Sequence, residues 1–254
     1  MKKWISAALL LLFATTPLFA LAGVGAHWSP TFGTEMSGAT DNFSMTLGGE
    51  EVTARFVRDK AEMEHGFGFK AWLDLPLLPI NFEATANFYG TTYGSTIEYK
   101  DPESGNDLSI PLNFDMGLPL IGVAEPMFGF MRVDLSAAWR AFDLSLAVVG
   151  IQGYIGGGAT WNYATRPLTP EVAQEAVEAL FAAGVSADND DALQKALEKA
   201  YGDLDSGFGG HLLAGIRAKL LFLSIYANGK YYIGGLPKGI DSGLVLELGG
   251  GLGI

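Results

Sequence analysis

Long segments in which apolar and polar residues alternate constrain the fold of this 254-residue chain more strongly than any other feature. The clearest segment runs from Ile80 to Phe88, where every second residue is apolar and those between are polar. Successive side chains of a β-strand point to opposite faces, so this pattern predicts a strand with one apolar and one polar face. The same alternation recurs over residues 127–137, 208–220, 224–233 and 244–254.

These alternating segments are longer than the strands of soluble proteins, which usually have about 5–6 residues. A strand that crosses a membrane needs about 9–11 residues, and aromatic residues favour its ends at the membrane–water interface. Aromatic residues stand near several segment ends, among them Trp139 and Tyr231. The sequence therefore predicts an all-β, antiparallel transmembrane β-barrel. A soluble secreted β-sandwich that binds a ligand is the alternative, which explains the alternation but not the strand length.

The first 22 residues have the layout of a signal peptide. Lys2 and Lys3 precede an apolar run from Ile5 to Phe19, and Ala20-Leu21-Ala22 has the small residues of a cleavage site. The run is short for a membrane-spanning helix, and no later apolar run reaches spanning length. We therefore expect residues 1–22 to be removed on export and residues 23–254 to form the barrel domain.

We expect ten strands, with eight and twelve as alternatives, because barrels of this kind have an even number of strands. The predicted strands cover residues 24–32, 41–48, 51–58, 66–75, 80–90, 127–138, 143–155, 207–220, 223–235 and 242–254. Short periplasmic turns are expected at residues 48–51, 76–79, 139–142 and 221–222. Segment 108–118 also alternates; we interpret it as part of the long loop 91–126, or as a partner of Thr96–Lys100 that raises the count to twelve.

Residues 169–202 interrupt the β-pattern with apolar residues at helical spacing. Thr169 can cap the start of a first helix that ends at Gly184, and Asp188 can open a second helix that ends at Gly202. The prediction is a helical hairpin inserted in one extracellular loop. It packs as a lid on the barrel rim or, alternatively, gates the lumen or binds a partner.

The composition excludes several functional classes. The chain has 28 acidic and 16 basic residues and a formal net charge of −12, which argues against nucleic acid as a partner. It has no cysteine, and the cluster Glu62–His65 lacks the second histidine of a metal site. The glycine triplets lack the lysine and the following helix of a phosphate-binding loop. We therefore predict no catalytic residues, no metal, no cofactor and no enzymatic activity.

The polar faces of the predicted strands carry charged residues that would point into the barrel. These candidate site residues are Glu83, Arg132, Asp134, Arg217, Lys219, Lys230 and Glu247. A buried charge needs a partner, and a barrel of eight to ten strands is filled mainly by its own side chains. We therefore expect a mutually paired interior network. The alternative is an open lumen whose charges select solutes.

The signal peptide, the alternating strands and the tight turns together resemble a bacterial outer-membrane β-barrel protein. The last strand ends at Ile254 rather than at the aromatic residue that is common in such barrels. Glycine-rich strands and the apolar loop residues 118–121 give a fainter similarity to fatty-acid transporter-like barrels. The resemblance implies location in the outer membrane, with lipid and the barrel-assembly machinery as partners. It implies a structural or binding role or passage of small solutes, with transport of a small hydrophobic molecule as the alternative.

Overall fold

The computed structural model describes residues 22–47, 50–75, 78–101, 104–112, 127–145, 149–175, 204–236, 240 and 243–253. The described strands are β1 (Ala22–Phe32), β2 (Glu35–Met36), β3 (Ala39–Leu47), β4 (Glu50–Arg58), β5 (Ala61–Glu62), β6 (His65–Asp74), β7 (Ile80–Thr92), β8 (Ser95–Lys100), β9 (Asp107–Pro111), β10 (Met127–Ser145), β11 (Val149–Thr165), β12 (Leu204–Leu220), β13 (Leu223–Ile233) and β14 (Leu244–Gly253). Within these residues, no helix has the length and apolar character needed to cross a membrane.

Eight of these strands form a closed antiparallel barrel in the order β1-β14-β13-β12-β11-β10-β7-β6. The barrel closes where β1 pairs with β6 on one side and with β14 on the other. The predicted all-β antiparallel barrel is confirmed, but the predicted count of ten strands is wrong. Segments 41–48 and 51–58, which we expected in the wall, belong to a separate sheet.

That separate sheet has four strands in the order β3-β4-β8-β9, and we call it the outer sheet. Because β3 and β4 connect β1 to β6, the outer sheet lies at the barrel end opposite the turn that joins β6 to β7. The prediction of a periplasmic turn at residues 48–51 is therefore wrong, because the β3–β4 pair belongs to the outer sheet at the opposite end of the barrel. The pairing of Thr96–Lys100 with segment 108–118 occurs as β8 with β9, but it adds no strand to the barrel.

An apolar core outside the barrel joins the outer sheet to the strand ends. We call it the loop-end core, and its buried members include Met36, Met45, Val52, Phe56, Met63, Tyr93, Ile97, Leu112, Phe128 and Phe130. It draws side chains from β2, β3, β4, β8 and β10, among other segments. The apolar face of the outer sheet is thus covered by protein, and this part of the molecule does not need lipid on it.

Strand β10 continues through the segment where we expected a turn at 139–142. Its register against β11 shifts between Arg140 and Phe142, which marks a β-bulge. A bulge inserts one extra residue and breaks the alternation, so in the sequence it looks like the end of a strand. Arg140 also fixes the neighbouring turn, because its guanidinium donates to the carbonyl oxygen of Leu75 at 2.6 Å.

Residues 170–175 are helical, as expected for the start of the helical loop. The backbone N–H of Val172 donates to the Thr169 hydroxyl at 3.4 Å, which caps the helix. A hydrogen bond from Thr169 lowers the pKa of the Glu171 carboxyl. The rest of the predicted helical hairpin, residues 176–202, lies outside the described residues, as does the predicted signal peptide up to residue 21.

Candidate functional site

The outer wall of the barrel is apolar. Large apolar side chains on all eight strands are at least 41% exposed, among them Val24, Trp28, Phe67, Phe69, Phe82, Leu135, Ile155, Phe208, Leu212, Ile225, Leu248 and Leu252. Soluble monomers rarely expose an apolar surface that extends around the whole molecule. An apolar exterior on a closed antiparallel sheet is the pattern of a barrel that crosses a membrane. The alternative of a soluble β-sandwich is wrong, because the sheet closes on itself.

The interior of the barrel is polar and charged. Its buried charged side chains are the bases Lys70, Arg132, Arg217 and Lys230 and the acids Asp74, Glu83, Asp134 and Glu247. We call this set the interior network. Of the seven candidate site residues, the structure places six in this network. The seventh, Lys219, is only half-buried near the end of β12.

Glu247 and the two lysines form the centre of the interior network. The Lys230 ammonium lies 2.6 Å from Glu247 Oε1 and 2.8 Å from Asp134 Oδ2. The Lys70 ammonium lies 3.1 Å from Glu247 Oε2 and 2.9 Å from Glu83 Oε2. Each lysine therefore bridges two carboxylates, and Glu247 is shared between both lysines. All five side chains are at most 1% exposed, so water does not screen these pairs.

A second ion pair closes the interior near the short turns. Arg217 Nη2 donates to both carboxylate oxygens of Asp74, at 2.6 and 2.7 Å. The guanidinium carbon lies 5.0 Å from the centre of the Trp72 ring, within reach of a cation–π contact. With its amide group turned, Gln152 also accepts from Arg217 Nε at 2.7 Å. Arg217 thus spans from β12 to β6 across the barrel.

Neutral side chains complete the network towards the outer sheet. The Tyr232 hydroxyl donates to Asp134 Oδ2 at 2.9 Å, and the Thr160 hydroxyl donates to Asp134 Oδ1 at 2.9 Å. The His211 ring nitrogens lie 2.8 Å from the hydroxyls of Thr160 and Ser136. Asp134 therefore receives two hydroxyl donors and one ammonium donor, which satisfies most of its acceptor capacity.

Arg132 differs from the other three bases because it has no carboxylate partner among the described residues. Its Nε donates to Asn162 Oδ1 at 2.9 Å, and its guanidinium carbon lies 3.6 Å from the Tyr232 ring centre and 4.8 Å from that of Phe130. Both Nη atoms are buried without a hydrogen-bond partner. The aromatic rings, rather than an ion pair, hold this charge.

Lys70 and Asp74 are absent from the seven residues predicted from the sequence, although Lys70 pairs with Glu83 and Glu247 and Asp74 pairs with Arg217. Both lie on β6, where Phe67, Phe69 and Leu73 alternate with them on the exposed face. The alternation of β6 was therefore enough to place both residues inside. The histidines and tyrosines of the interior were not predicted either, because a single neutral polar residue gives no distinct signal in the sequence.

Glycine residues on the inner face make room for large rings. A Cβ at Gly249 would lie 2.8 Å from the Tyr226 ring, one at Gly215 2.6 Å from the Tyr154 ring, and one at Gly251 2.9 Å from the Trp72 ring. The interior is therefore packed closely around these rings, as expected for a barrel of eight strands. Among the described residues, no group of three or more His, Asp or Glu side chains converges as a metal site would.

No protein-family model matches the sequence, and no curated protein matches it either. Among solved structures, the chain is similar to Neisserial surface protein A, with a TM-score of 0.41 and 13% identity over 92% of this chain and 97% of that chain. It is also similar to Ail, the attachment invasion locus protein of Yersinia pestis, with a TM-score of 0.31 and 11% identity over 91% and 96%. A structure of Ail with the heparin analogue sucrose octasulfate gives a TM-score of 0.36 and 11% identity over the same shares. The barrel itself is established by the strand pairing of this chain.

The chain has the architecture of a bacterial outer-membrane β-barrel. It is a closed antiparallel sheet of eight strands, the smallest even number that such barrels use. Its outer surface is apolar and its interior is polar, so each strand presents one face to lipid and the other to the network. The short connections gather at one end, and the outer sheet lies at the other.

Proposed function

We propose that the protein is an integral outer-membrane barrel that is closed to solutes and holds the outer sheet at the cell surface as a binding structure. The observation that carries this proposal is the interior network, whose ion pairs join β6, β7, β12, β13 and β14 across the lumen. An open aqueous pore would leave these side chains solvated, whereas here they are buried. The role is non-enzymatic, and residues 1–22 act as the export signal.

The described surface at the loop end is acidic, which gives the proposed binding role a chemical direction. Exposed acids of this surface are Asp41, Glu50, Glu51, Asp59, Glu62, Glu64, Glu98, Asp107, Glu171 and Glu175, and its exposed bases are Arg55, Lys60, Lys100 and Arg166. An acidic surface attracts cationic partners and repels anionic ones. The proposed partners are therefore cationic, in contrast to the heparin analogue sucrose octasulfate in the Ail structure.

Transport of a small hydrophobic molecule has less support than the binding role. The argument for transport is the apolar content of loop 91–126, but Ile97 and Leu112 of that loop pack in the loop-end core. Burial against the outer sheet is a sufficient reason for their apolar character. Ile110 is buried as well, and residues 113–126, which include Phe114, Leu118, Leu120 and Ile121, lie outside the described residues.

The closed interior predicts that the purified barrel gives no stable conductance steps in a planar lipid bilayer. The physical reason is that the network occupies the lumen of an eight-stranded barrel, which is just wide enough for its own side chains. Conductance is measured at both polarities, with a porin inserted in the same bilayer as the positive control. Regular, ion-selective steps from the folded protein would contradict the proposal and favour a pore.

The apolar exterior predicts that acyl chains quench tryptophans of the outer wall. Trp28 and Trp139 are 52% and 56% exposed on that wall, whereas Trp72 is 3% exposed inside the barrel. In vesicles with brominated acyl chains, we expect the double variant W28F/W139F to lose a large part of the quenching that the unmodified protein shows, and the half-buried Trp161 beside Phe208 accounts for the remainder. The matched variant Trp72→Phe should leave the quenched fluorescence unchanged. Equal effects of both variants would argue against the proposed orientation of the wall towards lipid.

A further inference from the structure

A small polar cavity lies at the loop end, where β1 leaves the barrel and β6 enters it. It has a volume of about 160 Å³ and is lined by Thr31, Gly33, Thr34, Glu35, Glu62, Met63 and Glu64. We call it the rim pocket. It is separate from the interior network. Its size suits the end of a side chain or a small organic ion with a few water molecules, each of which takes about 30 Å³ in the liquid.

The backbone around the rim pocket is held in place by hydrogen bonds between its two sides. The N–H of Thr31 donates to the carbonyl oxygen of Glu64 at 2.8 Å, and the N–H of Met63 donates to that of Thr34 at 3.1 Å. Gly33 has a φ of 77°, and a Cβ at this position would meet no atom within 4 Å. The chain therefore bends away at Gly33 and leaves open space between the two sides.

The charge of the rim pocket is not balanced by the residues around it. Glu35 and Glu62 lie directly opposite each other in the β2–β5 pair, an arrangement that repels unless a cation joins them. The Lys60 ammonium does so, at 2.6 Å from Glu35 and 3.0 Å from Glu62, and these hydrogen bonds raise the pKa of Lys60. Glu64 forms no ion pair within the part of the chain that the structure describes. The pocket lining thus carries three carboxylates, and the Lys60 ammonium pairs with two of them.

A buried acceptor without a partner gives a second, independent indication of a ligand. The Thr34 side chain is 4% exposed, and its hydroxyl oxygen is buried without a hydrogen-bond partner. A buried hydroxyl is normally hydrogen-bonded, and one left alone costs about 1–3 kcal/mol. Thr34 lines the rim pocket, so a donor bound in the pocket would lie against this side chain.

We propose that the rim pocket binds a primary alkylammonium group, held by Glu64, Glu35 and the Thr34 hydroxyl. An ammonium group brings three N–H donors and one positive charge, and the pocket offers acceptors and an excess of negative charge. Lys60 shows the same chemistry within the chain, because its ammonium already bridges two of these carboxylates. A metal ion fits less well, since no three carboxylates among the described residues converge as metal ligands. The inference deepens the proposed function and relies on it only for the exposure of the loop end to the outside.

Methionine methyl NMR of the full barrel in detergent micelles tests the proposal. Met63 lines the rim pocket, and Met45 is a reference because it is equally buried in the loop-end core but does not line the pocket. We expect n-propylammonium chloride to shift the Met63 signal to saturation and to leave Met45 in place. Tetramethylammonium chloride at the same concentrations has the same charge but no N–H donor, and it should shift neither signal.

Three variants locate the binding groups. Glu64→Gln should weaken propylammonium binding about tenfold, and Thr34→Val about fivefold, because each removes one acceptor. Glu98→Gln is the matched control, since Glu98 is an exposed acid of the outer sheet paired with Arg55, and it should leave affinity unchanged. Heat-modified gel mobility confirms that each variant is folded.

Several results would overturn the proposal. They are the absence of a saturable Met63 shift, an equal shift with tetramethylammonium, unchanged affinity in Glu64→Gln, and displacement of propylammonium by low concentrations of calcium chloride. Failure here is distinguishable from failure of the closed-barrel proposal. Conductance steps together with a saturable Met63 shift would reject only the closed barrel. The absence of both conductance steps and a Met63 shift would reject only the rim pocket as an ammonium site.

Discussion

Replacing Lys230 by methionine should destabilise the folded barrel by about 3–5 kcal/mol, the usual cost of removing one partner from a buried ion pair. The Lys230 ammonium bridges Asp134 and Glu247, and all three side chains have no exposed surface. Its removal leaves two carboxylates facing each other without their shared cation. Urea unfolding in lipid vesicles, followed by gel mobility without heating, measures the loss.

Arg132→Met is the matched control for that experiment. Arg132 is as deeply buried as Lys230, but it has no carboxylate partner and two of its nitrogen atoms make no hydrogen bond. Its loss removes contacts with the Tyr232 and Phe130 rings, but it also removes two unsatisfied donors. We therefore expect a clearly smaller effect than at Lys230. An equal or larger loss in Arg132→Met would show that the ion pairs do not determine the stability of the interior.

A double variant separates charge from packing in the first prediction. Adding Asp134→Asn to Lys230→Met removes the carboxylate that has lost its ammonium partner, since Glu247 still pairs with Lys70, and keeps the side-chain volume nearly constant. We expect this double variant to recover part of the lost stability. If the double variant is less stable than Lys230→Met alone, the loss at Lys230 has a cause other than unpaired charge.

Gly158→Ala should destabilise the barrel by about 3 kcal/mol, at the upper end of the usual range for added volume in a packed interior. Gly158 lies in β11, opposite Ser136 of β10 and His211 of β12. A Cβ at this position would overlap the carbonyl oxygen of Leu135 and lie 2.8 Å from the Ser136 Cα. These are backbone atoms of the neighbouring strand, so they can move only if the β10–β11 pairing is disturbed.

Gly229→Ala is the control for the glycine prediction. Gly229 is also in a barrel strand, but its Cβ would meet nothing closer than 3.7 Å, at the Leu246 side chain. Alanine there should be neutral or slightly stabilising, because it restricts the unfolded chain more than glycine does. The same unfolding assay compares both variants. Equal stability of Gly158→Ala and Gly229→Ala would mean that the wall at Gly158 has space that the strand pairing does not show.

Alternation along the strands predicted which face of each barrel strand is apolar. The reason is local: the direction of a side chain in a strand depends only on its position, so Phe82 points outwards if Glu83 points inwards. Alternation gave a wrong prediction near Arg140, where a turn was expected, because the one residue inserted by the bulge in β10 changes the phase of the pattern. The ends of strands were therefore less predictable than their faces.

The number of barrel strands followed from the tertiary structure rather than from the sequence. In β4, Val52, Ala54 and Phe56 alternate with polar residues as regularly as in any wall strand. Alternation shows that one face is covered by apolar material, but lipid and protein give the same pattern. In β4 the cover is the loop-end core, whereas in the barrel strands the apolar face is exposed to the membrane.

The sequence by itself determined that this chain forms long two-faced strands with charges on the polar faces, since those properties depend on neighbouring residues alone. Only the tertiary structure decided which charges meet. Lys230 and Asp134 are 96 residues apart, and Arg217 and Asp74 are 143 residues apart. Their pairing depends on closure of the sheet and on the register of every strand between them. No short stretch of sequence contains that register, because it is the sum of all strand pairings around the barrel.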